Sequence, residues 1–418
     1  MRQQKKVISI WLMWSLASFF YAYQYILRVL PNIMMTDILE KFQIDASLFG
    51  QYSGLYYIGY AGMHIPVGIL LDKYGPKWVL PLCMILTVIG LLPLLYADHW
   101  IYPGIGRLLI GMGSSAAILG VFKIIRMSFP EDKFTFILGC SVTIGLLGAI
   151  YGGQPVNYLM HTFGSEKVLQ IIILMGVVLS IATFFAIPAQ ATVHSQQGWF
   201  ASVKEVLTNY KILMICLFAG FMVGPLEGFA DVWGKEYLKS VYKLDENVAS
   251  SLPSLIFLGM CFGSPILSWI TAKTKAYFGF IILSGVVMGI SFILLLTGQL
   301  PVSVLTAMFI VVGVFSAYQI LAIYKASTYG GENLVGLTTA CANMIIMTFG
   351  YVFHSLIGKI MTHFWDGTMN MDVPVYGPHA YTFALMVIPV GLLMGALGFV
   401  WLATSKKTTP LVAESRIS

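Results

Sequence analysis

Residues 50–97 read GQYSGLYYIGYAGMHIPVGILLDKYGPKWVLPLCMILTVIGLLPLLYA. Two apolar runs, 50–71 and 78–97, hold no Asp, Glu, Lys or Arg. Each has the roughly 20 residues needed to cross a hydrocarbon layer about 30 Å thick. Between them stand Asp72, Lys73 and Lys77, with Gly75 and Pro76 to turn the chain. A backbone in lipid must bond within its own segment, and these runs are too long for barrel strands. The stretch is therefore two membrane-crossing helices joined by a charged turn.

The same reading extends over the whole chain. Of 418 residues, 58% are hydrophobic and 10% charged, with mean hydropathy +0.83. A soluble domain carries about 25% charged residues, so a soluble globule is excluded. Further spans are predicted at 8–30, 100–126, 134–160, 167–188, 210–233, 247–271, 277–298, 301–325, 333–361 and 379–403, making twelve. An all-α membrane protein of two six-helix bundles follows, with bundles at 1–188 and 210–405, a cytoplasmic linker at 189–209 and a tail at 406–418. The linker should contain a short amphipathic helix. The loop from Trp365 to Pro378, rich in Gly, Asp, Asn and Pro, should be irregular.

With both termini placed in the cytoplasm, 16 of the 24 Lys and Arg residues fall on the inner side, as the positive-inside rule demands. The net charge of +6 is thus topological; the basic residues form no stripe for nucleic acid. The cysteines, Cys83, Cys140, Cys216, Cys261 and Cys341, lie in apolar segments and form neither a disulfide framework nor a metal pattern. The first span is too long for a signal-peptide core. A bacterial inner membrane is the expected location, and a monomer the expected state.

The two halves repeat. At an offset of 202, GSSAAILGVFK (113–123) lies over FSAYQILAIYK (315–325); at 197, GMHIPVGILLD (62–72) lies over GMCFGSPILSW (259–269); at 201, Cys140 and Met160 fall on Cys341 and Met361. Duplicated six-span units of this kind build secondary transporters, with the substrate held near the midplane where the halves meet.

The turn Gly68-Ile-Leu-Leu-Asp72-Lys73-Tyr-Gly75-Pro-Lys77 resembles the G-x-x-x-D-[RK]-x-G-x-[RK] signature of the major facilitator superfamily, in the loop where that family carries it. Arg107-Leu-Leu-Ile-Gly111-Met-Gly113 resembles the same family's R-x-x-x-G-x-G element. The resemblance implies the twelve-helix fold and a cytoplasmic latch, with Asp72 meeting the start of span eleven near Gly331 to Leu337. Gly68 would let helices approach closely, Lys73 and Lys77 would stay on the inner side, and Arg107 would line or border the cavity. Trp269 stands where a second Asp72 would be, so one latch is implied and not two. Gly145 to Gly153 lacks the Gly-Pro pair of the family's antiporters, which weighs against drug efflux.

Span one carries Tyr21, Gln24, Tyr25 and Arg28 at i, i+3, i+4 and i+7, one face of a helix. Span seven repeats the spacing in Gly224, Glu227, Gly228 and Asp231, at an offset of 203. A basic stripe should therefore face an acidic one. Ionised residues at mid-span cost roughly 3 kcal/mol each, so these three must be paired or hydrated. Two uses fit. They could form a structural ion pair, or Arg28 could bind a carboxylate while Glu227 or Asp231 takes a proton or a substrate ammonium. Tyr57, Tyr318, Gln319 and Asn343 complete the candidate substrate ligands, with Tyr56 and His354 nearby in the pattern. His64, beside Pro66 and the loop motif, reads as a packing or gate residue. Lys123 and Lys325 are a matched pair at the inner ends of spans four and ten.

No nucleophile-and-base pattern, metal-ligand spacing or phosphate-cradling loop is present, so an enzyme is not expected, nor any cofactor or metal. A channel would need a symmetric pore ring. Narrower likeness is to bacterial organic-anion carriers and to the lysosomal dipeptide-transporter branch. Those anion carriers place a carboxylate seven residues after the span-four Arg, where this chain has Ser114, so proton coupling shifts to Glu227 or Asp231. The expected function is proton-coupled, alternating-access transport of a small anionic or zwitterionic metabolite: an amino acid, short peptide or organic acid. Efflux of lipophilic compounds is the alternative.

Overall fold

The computed structural model describes residues 2–130, 133–189, 199–331, 334–370 and 373–405. Much of the expected linker (190–198) and the tail at 406–418 lie outside them, while Trp199–Thr208 is a helix. Ten helical segments are long and apolar enough to cross a membrane, and an eleventh is the pair Tyr210–Phe221 and Gly224–Tyr242, bent by 41°. The first helix, Arg2–Ile33, is 32 residues long and carries the polar stripe. Together they make the twelve crossings.

The hairpin that fixes the fold forms as its sequence dictates. Asp45 caps the second span, Ala46–Tyr74, by accepting from the Leu48 amide at 2.8 Å. That span stops at Gly75, whose φ of 76° suits a residue without a Cβ, and Pro76 opens the third span, Pro76–Tyr96, where its missing N–H costs nothing.

The duplication recurs in backbone detail. Span four, Ile101–Ser128, breaks at Ser115, and span ten, Val302–Ser327, breaks at Ala317, the position 202 residues later. Residues of positive φ end helices at Gln43 and Lys243, and again at Gly75 and Lys275, each pair 200 apart. A sequence match sits beneath the first pair: Phe42-Gln-Ile-Asp45 over Tyr242-Lys-Leu-Asp245.

Helices within each bundle pack backbone to backbone at glycines. A Cβ on Gly111 would run into the Tyr56 backbone, and one on Gly113 into that of Cys83, so the R-x-x-x-G-x-G glycines seat span four against spans two and three. Outward faces remain apolar: Ile171, Leu174, Met175, Val178, Ile181 and Phe185 of the sixth span, Ser165–Ala186, are all exposed, as lipid contact requires.

Span seven departs from the sequence expectation. Gly224–Trp233 is a π-helix, ended by the Gly234 N–H reaching five residues back to Phe229 O, after a break that Pro225 and the neighbouring glycines permit. The slower winding splits the expected four-residue stripe. Gly224 and Gly228 turn together toward Phe353 and Ile388, while Glu227 and Asp231 turn toward spans one and two. The Trp365–Pro378 loop is also more ordered than expected: Met369 pairs with Pro374 and Asn370 with Val373.

Candidate functional site

The bundles meet tightly at the end bearing the Trp365 loop, called here the far end. A Cβ on Gly50 would strike the His354 carbonyl, one on Gly358 the Ala46 carbonyl, and one on Gly54 would lie 3.0 Å from Tyr351 Cα. Spans two and eleven, the latter Val335–His363, thus touch along their backbones there. Polar groups close the same end. Ala46 N–H donates to the Tyr376 hydroxyl at 2.9 Å, Ser47 N–H to Thr362 Oγ1 at 3.2 Å, and the Lys235 ammonium to Ile33 O at 3.2 Å and Asn157 Oδ1 at 3.1 Å. Lys235 also pairs with Glu246 at 2.5 Å.

Toward the Asp72 end the bundles part. A Cβ on Gly62, Gly68 or Gly336 would meet nothing within 4 Å. Gly68 therefore faces open space here and does not mediate the close helix approach expected of it. Among the described residues, which leave out 332–333, Asp72 makes no pair with the start of span eleven either. It is 71% exposed and pairs with Lys123 of its own bundle at 2.7 Å. The cation it meets is on span four, beside a face of the second span that is open at Gly68. Lys77 donates to the carbonyls of Phe184 (3.1 Å) and Ile187 (3.0 Å), satisfying the end of span six. Lys73 lies over the Tyr74 ring at 5.1 Å. Lys325 lies near the rings of Tyr277, Phe278 and Tyr329.

Where the parted region meets the sealed one, the charged stripes converge. Arg28, 6% exposed, donates from Nε to Asp231 at 2.6 Å and pairs with Glu227. Tyr57 places its hydroxyl against both carboxylates, 2.8 Å from Glu227 Oε2 and in contact with Asp231. Its single proton serves one of them at a time. The guanidinium is sandwiched by rings, 5.2 Å from Tyr25 and 5.5 Å from Tyr57. Gln319 Nε2 donates to Glu227 at 3.4 Å. Tyr56 donates to Gln24 Oε1 at 2.6 Å, and Tyr21 stacks edge-on against Tyr25. One step toward the far end, Asn32 accepts from the Lys235 amide at 3.3 Å. Arg28 with Asp231 and Asn32 with Lys235 are both 203 apart, the offset of the stripes themselves. Pseudo-equivalent residues can touch only where they flank the axis relating the halves, so this row runs along that axis.

Other candidates lie elsewhere. Tyr318 donates to Ala219 O at 2.8 Å within its own bundle, and Asn343 lies beside Tyr60. Arg107 sits behind span one, donating to the carbonyls of Leu27 at 2.5 Å and Arg28 at 2.7 Å. Buried His354 stacks on Tyr57, ring centroids 5.5 Å apart, and buried His64 stacks on Tyr60 at 5.2 Å. Sequence reasoning missed Asn32, Asn157 and Lys235. The signal for Asn32 and Lys235 was their shared offset. Among the described residues no group of three His, Cys, Asp or Glu is placed to hold a metal ion.

Residues 13–355 match the model of the Major Facilitator Superfamily. The chain belongs to that superfamily, the class of multi-pass membrane carriers its fold defines, and not to the enzymes. Among its relatives, the hexuronate transporter of Bacillus subtilis is 22% identical over 60% of this chain and 62% of its own length. The lysosomal dipeptide transporter MFSD1 of Gallus gallus is 26% identical over 38% of this chain and 35% of its own length. The chain therefore spans less than two thirds of either relative. A crystallised bacterial homolog of the human lysosomal transporter Spinster, in an inward-facing and unoccupied conformation, shares the fold with a TM-score of 0.72 at 16% identity, covering 94% of this chain and 95% of that one.

Proposed function

We propose that this protein moves a small carboxylate-bearing metabolite, anionic or zwitterionic, across a bacterial inner membrane by alternating access, coupled to protons. The termini lie in the cytoplasm in this reading, so the parted Asp72 end faces inward. The bundles are residues 1–188 and 210–405, acting as a monomer in the lipid bilayer. The observation that carries the reading is Arg28, held on the axis between Glu227, Asp231 and Tyr57 where the opening ends. A substrate carboxylate takes the place of the acids on Arg28, in the bidentate geometry that guanidinium and carboxylate share. Tyr21, Gln24, Tyr25, Tyr57 and Gln319 orient the rest of it.

Charge balance supplies the coupling. Arg28 and Arg107 offset Glu227 and Asp231, so the buried group is neutral as it stands. An entering anion displaces an acid and adds a negative charge, which low dielectric penalises. Protonating Glu227 or Asp231 restores neutrality, so anion and proton travel together. A zwitterion brings its own ammonium and pairs with the freed acid directly. Hexuronates and dipeptides, the cargoes named for the two relatives, both bear a carboxylate.

The test is uptake of glucuronate and glycylglycine into proteoliposomes under an imposed pH gradient, inside alkaline. At least one probe should accumulate, and Asp231→Asn or Glu227→Gln should abolish gradient-driven accumulation while exchange persists. Normal accumulation in both variants would remove the acids from coupling. Uptake of neither probe would overturn the substrate class.

A further inference from the structure

Pro31 stands inside the first helix, three residues beyond Arg28. It has no N–H, so the carbonyl four residues before it, that of Leu27, loses its helical partner. An unpaired carbonyl in a membrane interior is costly, and one is not left here. Arg107 reaches across from span four: one terminal nitrogen donates to Leu27 O at 2.5 Å, the other to Arg28 O at 2.7 Å. Its guanidinium lies 4.9 Å from the Tyr56 ring, the tyrosine bonded to Gln24 on the same face of span one as Arg28. The planar fork of an arginine matches two adjacent carbonyls as a lysine cannot.

We infer that Arg107 is a positioning residue: by capping the carbonyl that Pro31 orphans, it fixes the backbone of span one at Arg28 and so aims that guanidinium at the transport site. Proline and arginine thus form one device. The proline frees a carbonyl at the site's edge, and the arginine turns that defect into an anchor between spans one and four. The second half has no counterpart. Phe309, 202 residues after Arg107, packs on Phe229 of span seven with centroids 5.4 Å apart. Among the described residues, the basic stripe alone is held this way.

The inference rests on the reading of Arg28 as the carboxylate ligand, and its test separates the two. Thermal unfolding is followed on the full-length protein in detergent, with uptake KM measured for glucuronate and glycylglycine. Arg107→Ala should lower Tm and raise KM about tenfold, the loss expected when hydrogen bonds from a charged group are removed. Adding Pro31→Ala to Arg107→Lys, which keeps the buried charge, returns an N–H to Leu27 O, and should recover at least half of the Tm loss and most of the KM rise of Arg107→Lys. Arg107→Lys, reaching one carbonyl, should fall between wild type and Arg107→Ala. Removing the partner should also expose the coupling: Arg107→Ala should cost less Tm in an Asp231→Asn background, where Arg28 has already lost its aim.

Failure of Pro31→Ala to restore either quantity overturns the inference. So does recovery of Tm without KM, which would make Arg107 a direct substrate contact. Uptake of neither probe by the wild-type protein would instead overturn the carboxylate reading. The melting cycles, which need no substrate, would still decide whether Arg107 anchors Arg28.

Discussion

The two bundles meet in opposite ways at the two ends of the molecule. At the far end, glycines bring spans two and eleven into backbone contact, and buried polar groups bond across the seam. At the Asp72 end, the charged residues find partners inside their own bundle, and glycines of the same two helices face open space. Under the alternating access proposed above, the difference lies in what must be broken to switch. Opening the far end exchanges several cross-bundle hydrogen bonds for water at once, at a net cost of about 0.5–1.5 kcal/mol for each. Closing the Asp72 end breaks an exposed Asp72–Lys123 pair, worth about 0–1 kcal/mol. In that reading one face is a lock, and the other is a surface free to change partners.

The largest effect is expected at the junction of the two regions. Arg28→Met leaves Glu227 and Asp231 buried without their cation, and should destabilise the protein by about 3–5 kcal/mol in thermal or denaturant unfolding. A companion Asp231→Asn and Glu227→Gln change should return much of that loss; no recovery would mean that the acids are not what Arg28 balances. Next comes the seam itself. Gly358→Leu places a side chain against the Ala46 backbone and should cost about 1–3 kcal/mol, whereas Gly62→Leu, with open space around it, should stay within about 0.5 kcal/mol. Equal losses at both sites would erase the contrast between the ends.

A smaller effect sharpens the lock. Lys235→Met leaves Ile33 O, Asn157 and Glu246 without their shared donor. It should raise labelling of a cysteine placed at Ser47 by a membrane-impermeant maleimide severalfold, as the far end opens more often. Unchanged labelling would place the seal elsewhere. The smallest effect is Asp72→Asn. Its exposed pair predicts a Tm near wild type, with transport slowed only if Asp72 meets a new partner in another state. A large Tm loss would show that the pair is stronger than its exposure implies.

Hydropathy and charge made the spans legible, and the shared offset of two polar stripes placed Arg28 opposite Asp231. Both signals survive because lipid punishes any exception to them: an apolar run must be a helix, and a buried charge must be met. What sequence hid depends on details of backbone and state. Pro225 among glycines produced a π-helix, so Gly224 and Gly228 turned away from the acids they seemed to accompany. Asp72 pairs with Lys123 of its own bundle, a partner that the loop motif does not name. Arg107 was placed at the cavity by the family element it opens; its hydrogen-bond targets are two backbone carbonyls, which no side-chain pattern encodes. The offset-200 match of Phe42 to Asp45 with Tyr242 to Asp245 was visible in the letters but lay outside the apolar stretches where repeats are usually sought.

The most direct measurement compares the affinity of a transported carboxylate with that of its carboxamide, in wild type and in Arg28→Lys, by calorimetry on detergent-purified protein. The acid should bind wild type at least about tenfold more tightly than the amide, and Arg28→Lys should remove most of that preference, since an ammonium cannot reproduce the paired donors. Equal binding of acid and amide by wild type, or a preference that Arg28→Lys leaves intact, would contradict a carboxylate seated on Arg28.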